Sequence, residues 1–304
     1  MMAGDIYEYL SEKISIEDIV RNCDMRAYTS FKAGGEAEFL IIPQNIDQLC
    51  HTLRVLSQAN KKYMIIGNGS NVLVKDGGYS GAIIKLGDAF SSVETKGETL
   101  TAGAGTLLSV VAKKAMEAGL SGFEFASGIP GSIGGGVYMN AGAYSGEMAQ
   151  IVEHVEILSI REYDVYTATG EELKFGYRHS LLQESGDIAL SVNLRLAYGE
   201  PEKIRKRMQE LMEMRNEKQP VSMPSAGSFF KRPEGYFAGK LIEDSGLKGI
   251  AVGGARVSPL HAGFIVNQGG ATASDIIDLM NLVRNTVYDR FGVMLETEVK
   301  IIGD

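Results

Sequence analysis

The chain has 304 residues, of which 37 are glycine and only 7 proline, with 44% hydrophobic and 8% aromatic residues. Glycine at about 12%, against a usual share of about 7%, combined with so little proline excludes collagen-like and proline-rich disordered chains; the length points to two or three domains. Lys+Arg number 30 against 38 Asp+Glu, a formal net charge of -8, which excludes a broad nucleic-acid face because such a face needs a basic field.

Taken in chain order, the opening MMAGDIYEYLSEK carries acidic residues and no apolar core of signal-peptide length. No later run reaches the roughly 20 apolar residues of a membrane span. A cytoplasmic protein without membrane insertion is expected. Cys23 and Cys50 form no CxxC, and His51, His154, His179 and His261 show no metal-ligand spacing, so neither a disulfide framework nor a metal site is expected. Residues 5–20 read as an amphipathic helix and 37–43 as a strand. Residues 45–60 read as a helix with Ile46, Leu49, Leu53 and Leu56 on one face, and 62–67 as the next strand, together a βαβ unit. Short strands at 81–86, 92–95 and 99–105 lead to a helix at 107–120 that ends near Gly119. Strands at 151–158, 163–168 and 187–197 follow a glycine block at 122–146. A helix over 202–220 stops before Pro220 and leaves a boundary near residue 200. In the last third, a short helix ends within 240–249. The helix 272–292 carries a Thr272–Asp275 capping box and a stripe of Ile276, Leu279, Met280, Val283 and Val287. A terminal strand occupies 293–303.

Two glycine loops stand out. In IIGNGSNVLVKDGG (65–78) a strand runs into a tight polar loop whose successive N–H groups, with the side chains of Asn68, Ser70 and Asn71, suit an anion. It is not the dinucleotide fingerprint: Gly67 and Gly69 match, but Val72 stands at the third glycine and no helix follows. GIPGSIGGG places glycines at 128, 131, 134, 135 and 136 around Pro130, a surface where backbone can wrap a flat or charged ligand, extended by Asn140. A plain turn and a structural glycine knot are the respective alternatives. GYFAGKL (235–241) only mimics a phosphate loop, since Leu241 replaces the Ser/Thr that would hold magnesium; Lys240 there is either solvated or a phosphate contact.

Among polar residues, Arg178 in FGYRHS (175–180) can clamp a carboxylate with two parallel bonds, or be a surface arginine. Ser228 in PSAGSFFKRP (224–233) is a positioned hydroxyl or a turn residue, and the absence of GxSxG disfavours an esterase triad. In LETEVK (295–300), alternation puts Glu296, Glu298 and Lys300 on one face, where a solvated strand is the simplest reading. Arg215 and Lys218 lie near a helix end, where they offset its dipole.

Together these motifs resemble the MurB family of UDP-N-acetylenolpyruvoylglucosamine reductases. The matches run in family order: YTSFKAGG (28–35), GNGSNVLVKD (67–76), GFEFASGIPGSIGGGVYMNAGAY (122–144), FGYRHS, PSAGSFFKRP, AGKLIEDSGLKG (238–249), VSPLHAGFIVN (257–267) and LETEVKIIG (295–303). They cover nearly the whole chain from residue 28.

The resemblance implies an α+β fold with a two-domain FAD-binding cradle of the vanillyl-alcohol-oxidase type and a C-terminal α+β substrate domain. On that basis domains are expected at 1–86, 87–200 and 201–304. The resemblance also implies non-covalent FAD, with its pyrophosphate at Gly67, Asn68, Gly69, Ser70 and Asn71. Gly128, Ile129, Pro130, Gly131, Gly134, Gly135 and Asn140 would line the flavin. It implies NADPH as hydride donor and an enolpyruvyl sugar nucleotide of peptidoglycan precursor synthesis as substrate. Hydride would pass from flavin N5 to C3 of the substrate. Arg178 and Glu298 would polarise its carboxylate, and Ser228 would protonate C2. Glu298 would then need a raised pKa or a hydrogen-bonding role. Tyr177, Arg215, Lys218 and Lys240 map to substrate contacts. The short span between Arg178 and Ser228 implies the shorter subtype without the added substrate-covering module, so Tyr177 does not take that module's tyrosine role. Lys300 stands where many members have arginine. A monomer is expected. Another flavin oxidoreductase, or a non-catalytic sugar-nucleotide module, would share the glycine loops without needing Arg178, Ser228 and Glu298 together.

Overall fold

The helix Ala273–Phe291 forms where the sequence is most explicit. Thr272 accepts the Asp275 N–H, Asp275 accepts the Thr272 N–H, and Gly292 ends the helix in left-handed backbone. Ile276, Leu279, Val283 and Val287 are fully buried along one side. The structure, a computed structural model, describes residues 5–304, so Met1–Gly4 of the opening segment lie outside the described residues.

The chain divides into two compact units. The first comprises Met1–Val20, Phe39–Asn68 and Ala82–Met214; the second comprises Arg21–Glu38, Gly69–Gly81 and Arg215–Asp304. This differs from the expected divisions after 86 and 200. Residues between Leu10 and Leu196 share one apolar core, which merges the two expected cradle domains. The other core combines Phe31, Ala33 and Leu73 with the C-terminal third.

In the first unit, the helix expected over 5–20 is only Ile6–Ser11, capped by Asp5; a single turn at Ile16–Asp18 then leads into the strand Ile19–Asp24. The helix Ile46–Gln58 is capped by Asn45 and buries Leu49, Leu53 and Leu56, while Ile46 is exposed rather than on the core face. Tyr63–Ile66 pairs in parallel with the strand Tyr79–Lys85, in the register Tyr63↔Ala82 to Ile66↔Lys85. The sheet order is Ile19–Asp24, Glu36–Ile41, Tyr79–Lys85, Tyr63–Ile66. The two strands that flank the helix Ile46–Gln58 are therefore separated by one that arrives later. A five-stranded antiparallel sheet follows, ordered Val165–Thr169, Val152–Leu158, Ile188–Arg195, Thr99–Gly103, Val93–Lys96. The helix Leu108–Glu117 and the short helix Ile133–Tyr138 contribute Leu108, Val111, Ile133 and Val137 to its core.

The second unit has a three-stranded antiparallel sheet, Ala251–Val252, Ala255–Val257 and Ile265–Asn267, packed with Ala273–Phe291 and Ala238–Asp244. Of the expected terminal strand, only Lys300–Ile302 is regular, and it pairs in parallel with Val72–Val74. No helix among the described residues is long and apolar enough to cross a membrane.

Candidate active site

The polar loop 67–71 leaves the strand Tyr63–Ile66 and enters Val72–Val74, with no helix after it. Gly69 has φ +62°, and a Cβ there would lie 2.0 Å from the Tyr28 carbonyl oxygen; only glycine lets the two backbones meet so closely. Gly67 faces Ser132, whose Oγ would lie 2.0 Å from an added Cβ. Ser30 N–H donates to the Gly69 carbonyl, which holds the 28–30 segment against the loop. There the hydroxyl Oγ1 of Thr29 is buried without a hydrogen-bond partner. Buried polar atoms are almost always paired, so an orphan beside a glycine loop is a donor in want of an acceptor. The side-chain-free backbone at Gly69 and the unpaired Thr29 hydroxyl suit a phosphate-bearing group, and in the first unit Lys85 Nζ donates to the Gly67 carbonyl at 3.3 Å. Thr29 lies within the YTSFKAGG motif but was not singled out from the sequence; Lys85 arrives by strand pairing and had no local signal.

The glycine block is less of a loop than its composition suggests. Ser132 caps the helix Ile133–Tyr138, in which Gly134, Gly135 and Gly136 are helical. Its first N–H groups already have partners: Ile133 donates to the Thr106 carbonyl, Gly134 to that of Ala104 and Gly135 to Ser132 Oγ. The helix start is therefore not an open anion site. Gly134 packs on Ala104, which a Cβ would approach to 2.8 Å, whereas at Gly135 the nearest atom would be 3.5 Å away. Pro130 and Gly135 are exposed; Gly128, Ile129, Gly131 and Gly134 are half-buried. Asn140, expected to line the flavin, is 1% exposed, and its amide is directed inward: Nδ2 donates to the Gly176 carbonyl at 3.0 Å and Oδ1 accepts the Ala149 N–H at 2.9 Å.

Arg178 sits in a two-residue turn. Gly176 and His179 exchange both backbone hydrogen bonds at 3.1 Å, and Arg178 has φ +55°. A non-glycine residue there costs about 1–3 kcal/mol, which the surroundings must offset. The guanidinium lies 5.1 Å from the ring centroid of Tyr177, itself exposed. Arg178 and Tyr177 belong to the first unit, Ser228 and Glu298 to the second.

The segments that carry Ser228 and Glu298 are joined by an irregular ladder. Ser228 bridges Phe264, Phe230 bridges Thr297, and the Glu298 N–H donates to the Phe229 carbonyl at 2.9 Å. On the far side of the same ladder, the Lys231 N–H donates to the Glu296 carbonyl and its Nζ lies 3.4 Å from the Glu296 carboxylate, which is 75% exposed. The two glutamates that alternation placed on one face differ in their surroundings: Glu296 is a solvated ion pair with Lys231, whereas Glu298 is half-buried across from Phe229. Asn71 joins this ladder to the glycine loop, since its Nδ2 donates to the Glu298 carbonyl at 3.1 Å and its carbonyl accepts the Lys300 N–H at 3.0 Å.

Of the remaining cations, Lys240 forms a 2.5 Å pair with Asp244 one helical turn on, a bond that raises its pKa. Arg215 and Lys218 lie in the last turn of Pro201–Lys218. Both cysteines are buried, and burial is the main reason their thiols are pushed up.

Residues 37–176 match the FAD binding domain family, and 219–302 match the UDP-N-acetylenolpyruvoylglucosamine reductase C-terminal domain. The UDP-N-acetylenolpyruvoylglucosamine reductase of Alkaliphilus oremlandii is 50% identical over 98% of both chains, and that of Clostridioides difficile 48% identical over 99% of this chain and 98% of its own. The crystal structure of the Thermus caldophilus enzyme superposes with a TM-score of 0.80 at 38% identity, covering 93% of this chain and 97% of that one. A Phl p 4 variant described as a glucose oxidase shares the fold alone, with a TM-score of 0.51 at 13% identity over 65% of this chain and 45% of its own. An α+β chain with this FAD-binding domain, this C-terminal domain and relatives this similar along its whole length belongs to the UDP-N-acetylenolpyruvoylglucosamine reductase family, whose cofactor is FAD.

Proposed function

We propose that the protein reduces UDP-N-acetylglucosamine enolpyruvate to UDP-N-acetylmuramate with NADPH as the electron source, a step of peptidoglycan precursor synthesis. The observation that supports this reading is the ladder that pairs the Ser228–Phe230 segment with the Thr297–Glu298 segment, where Glu298 is half-buried and Glu296 is held in an exposed ion pair with Lys231. It supplies, in one short segment, a hydroxyl and a half-buried carboxyl of the kind such a reduction requires.

When bound and reduced, FAD supplies the hydride that the enolpyruvyl C3 accepts. The protein's part is to hold the substrate and manage charge and a proton. Negative charge develops over C2 and the adjacent carboxylate, and Arg178 offers that carboxylate a planar two-pronged donor. Glu298 hydrogen-bonds the same group. The Ser228 hydroxyl delivers a proton to C2, where correct placement contributes more than acidity, since serine is a weak acid. Tyr177, Arg215, Lys218 and Lys240 contact the sugar nucleotide; Lys240 does so only by exchanging Asp244 for a phosphate. Gly67 to Asn71, Thr29 and the exposed face at Pro130 and Gly135 hold the cofactor. The buried free thiols of Cys23 and Cys50 accord with a reducing, cytoplasmic setting.

Purified protein is expected to be yellow and to release FAD on denaturation. Under anaerobic conditions NADPH bleaches the flavin, and the enolpyruvyl sugar nucleotide restores its colour. A substrate that never speeds reoxidation would overturn the assignment even with FAD bound. Ser228→Ala should leave reduction by NADPH within about twofold and slow reoxidation by at least about a hundredfold, in line with loss of a general acid; equal losses in both half-reactions would make Ser228 structural.

A further inference from the structure

The turn that carries Arg178 is pinned at three points, and all three pins lead to one short segment. Gln183 Nε2 donates to the Arg178 carbonyl at 2.9 Å and to the Tyr138 carbonyl at 2.8 Å. Asn140 Nδ2 donates to the Gly176 carbonyl, the start of the turn. Ser180 Oγ donates to the same Tyr138 carbonyl at 2.9 Å. Tyr138 is the last residue of the glycine-block helix Ile133–Tyr138, and Asn140 lies two residues beyond it. Ser180 and Asn140 are buried, and an amide NH2 has two hydrogens, so Gln183 Nε2 has one for each carbonyl it bridges. Arg178 and Asn140 both have positive φ, a conformation that asparagine tolerates and that is uncommon for arginine.

We infer that Gln183 and Asn140 are positioning residues for Arg178: they fix the carbonyls on either side of its side chain and so aim the guanidinium relative to the glycine block. This rests on the reading of Arg178 as the carboxylate clamp. Gln183 has no motif signal in the sequence, and Asn140 acts here through the Arg178 turn rather than by facing the flavin. A glutamate at 183 keeps the shape but meets two carbonyl oxygens with a carboxylate, reversing both interactions; only when protonated can it donate to one of them.

The test is a four-member cycle: wild type, Gln183→Glu, Arg178→Ala and the double variant. Each is loaded with FAD, reduced by NADPH without oxygen and mixed with UDP-N-acetylglucosamine enolpyruvate across pH. Gln183→Glu is expected to slow reoxidation at least about tenfold above neutral pH and to recover as pH falls, a trend the wild type does not share. The double variant is expected to be within about twofold of Arg178→Ala alone, since residues that act through one group are not additive. A readout independent of turnover is hydrogen exchange over residues 174–182 in FAD-free protein, which Gln183→Glu and Asn140→Asp should both accelerate. If Gln183→Glu does not fold, Gln183→Met carries the same cycle without the pH arm. Losses that multiply in the double variant, or wild-type reoxidation by Gln183→Glu while Arg178→Ala is slow, overturn the positioning role alone. Wild-type reoxidation by Arg178→Ala overturns it together with the reading of Arg178.

Discussion

The carboxylate of Asp76 accepts the N–H groups of Ala273 and Ser274, both at 2.7 Å, and the Ser274 hydroxyl. Burial pushes its pKa up, but these bonds outweigh it and hold the group below its ordinary 3.8; Asp275 is lowered likewise, chiefly by the Thr272 and Gly254 N–H groups. A carboxylate depressed in the folded state adds stability that is fully present above the unfolded pKa and disappears as pH falls through the folded one. Urea unfolding should therefore show stability falling below about pH 3.8, less steeply in Asp76→Asn, while Asp76→Ala should cost about 0.5–2 kcal/mol at neutral pH as a lost helix cap. Cys23 and Cys50 give a second measurement: buried, with thiols pushed up, neither should react with a thiol-specific reagent until the protein is unfolded. At this scale the sequence was readable where a residue's partner lies three or four positions away, as with Thr272 and Asp275. It was silent where the partner lies across a ladder, as with Lys231 for Glu296, Gln183 for Arg178, and Asp76 for Ser274.

Elements were legible where periodicity and caps agree, as in Ile46–Gln58 and Ala273–Phe291. They were not where glycine misleads. Ile133–Tyr138 contains three consecutive glycines yet is helical, because Ser132 caps it and Gly134 lets it lie against Ala104. That contrast gives opposite expectations for neighbouring substitutions. Gly134→Ala forces a contact inside van der Waals range and should destabilise by about 1–3 kcal/mol. Gly135→Ala has room and should stabilise FAD-free protein by up to about 1 kcal/mol, while weakening FAD retention if the exposed face meets the cofactor. Thermal melts and flavin content, measured on the same samples, separate the two effects. The ladder at 228–231 is another element the sequence hid: two isolated bridges, with regular strand confined to Lys300–Ile302, leave no alternation long enough to mark a strand. Its clasp, Asn71, is expected to matter twice, so Asn71→Ala should reduce flavin content and, in protein saturated with FAD, still slow reoxidation by the sugar nucleotide.

At the scale of the whole chain, the ordered motifs were a sound guide to the family and its cofactor, but linear boundaries were not a guide to its units. The path passes from one unit to the other at 20/21, 38/39, 68/69, 81/82 and 214/215. Fragments cut at the last of these should fail: a 215–304 fragment lacks Phe31, Ala33 and Leu73 from its core and Val72–Val74 as the partner of Lys300–Ile302. Circular dichroism melts of that fragment should show no cooperative transition, and adding residues 21–81 in trans is expected to restore one only weakly, given the entropy of bringing separate chains together.

The same pairing has a consequence for how the protein is made. Asn71 and Glu298, hydrogen-bonded in the finished protein, are 227 residues apart in sequence. At about 5–20 residues per second a ribosome needs roughly 11 to 45 seconds to travel from one to the other. Once the glycine loop has left the exit tunnel it still waits for the strand that closes on it, so its Asn71–Glu298 hydrogen bond forms only after Glu298 has been made.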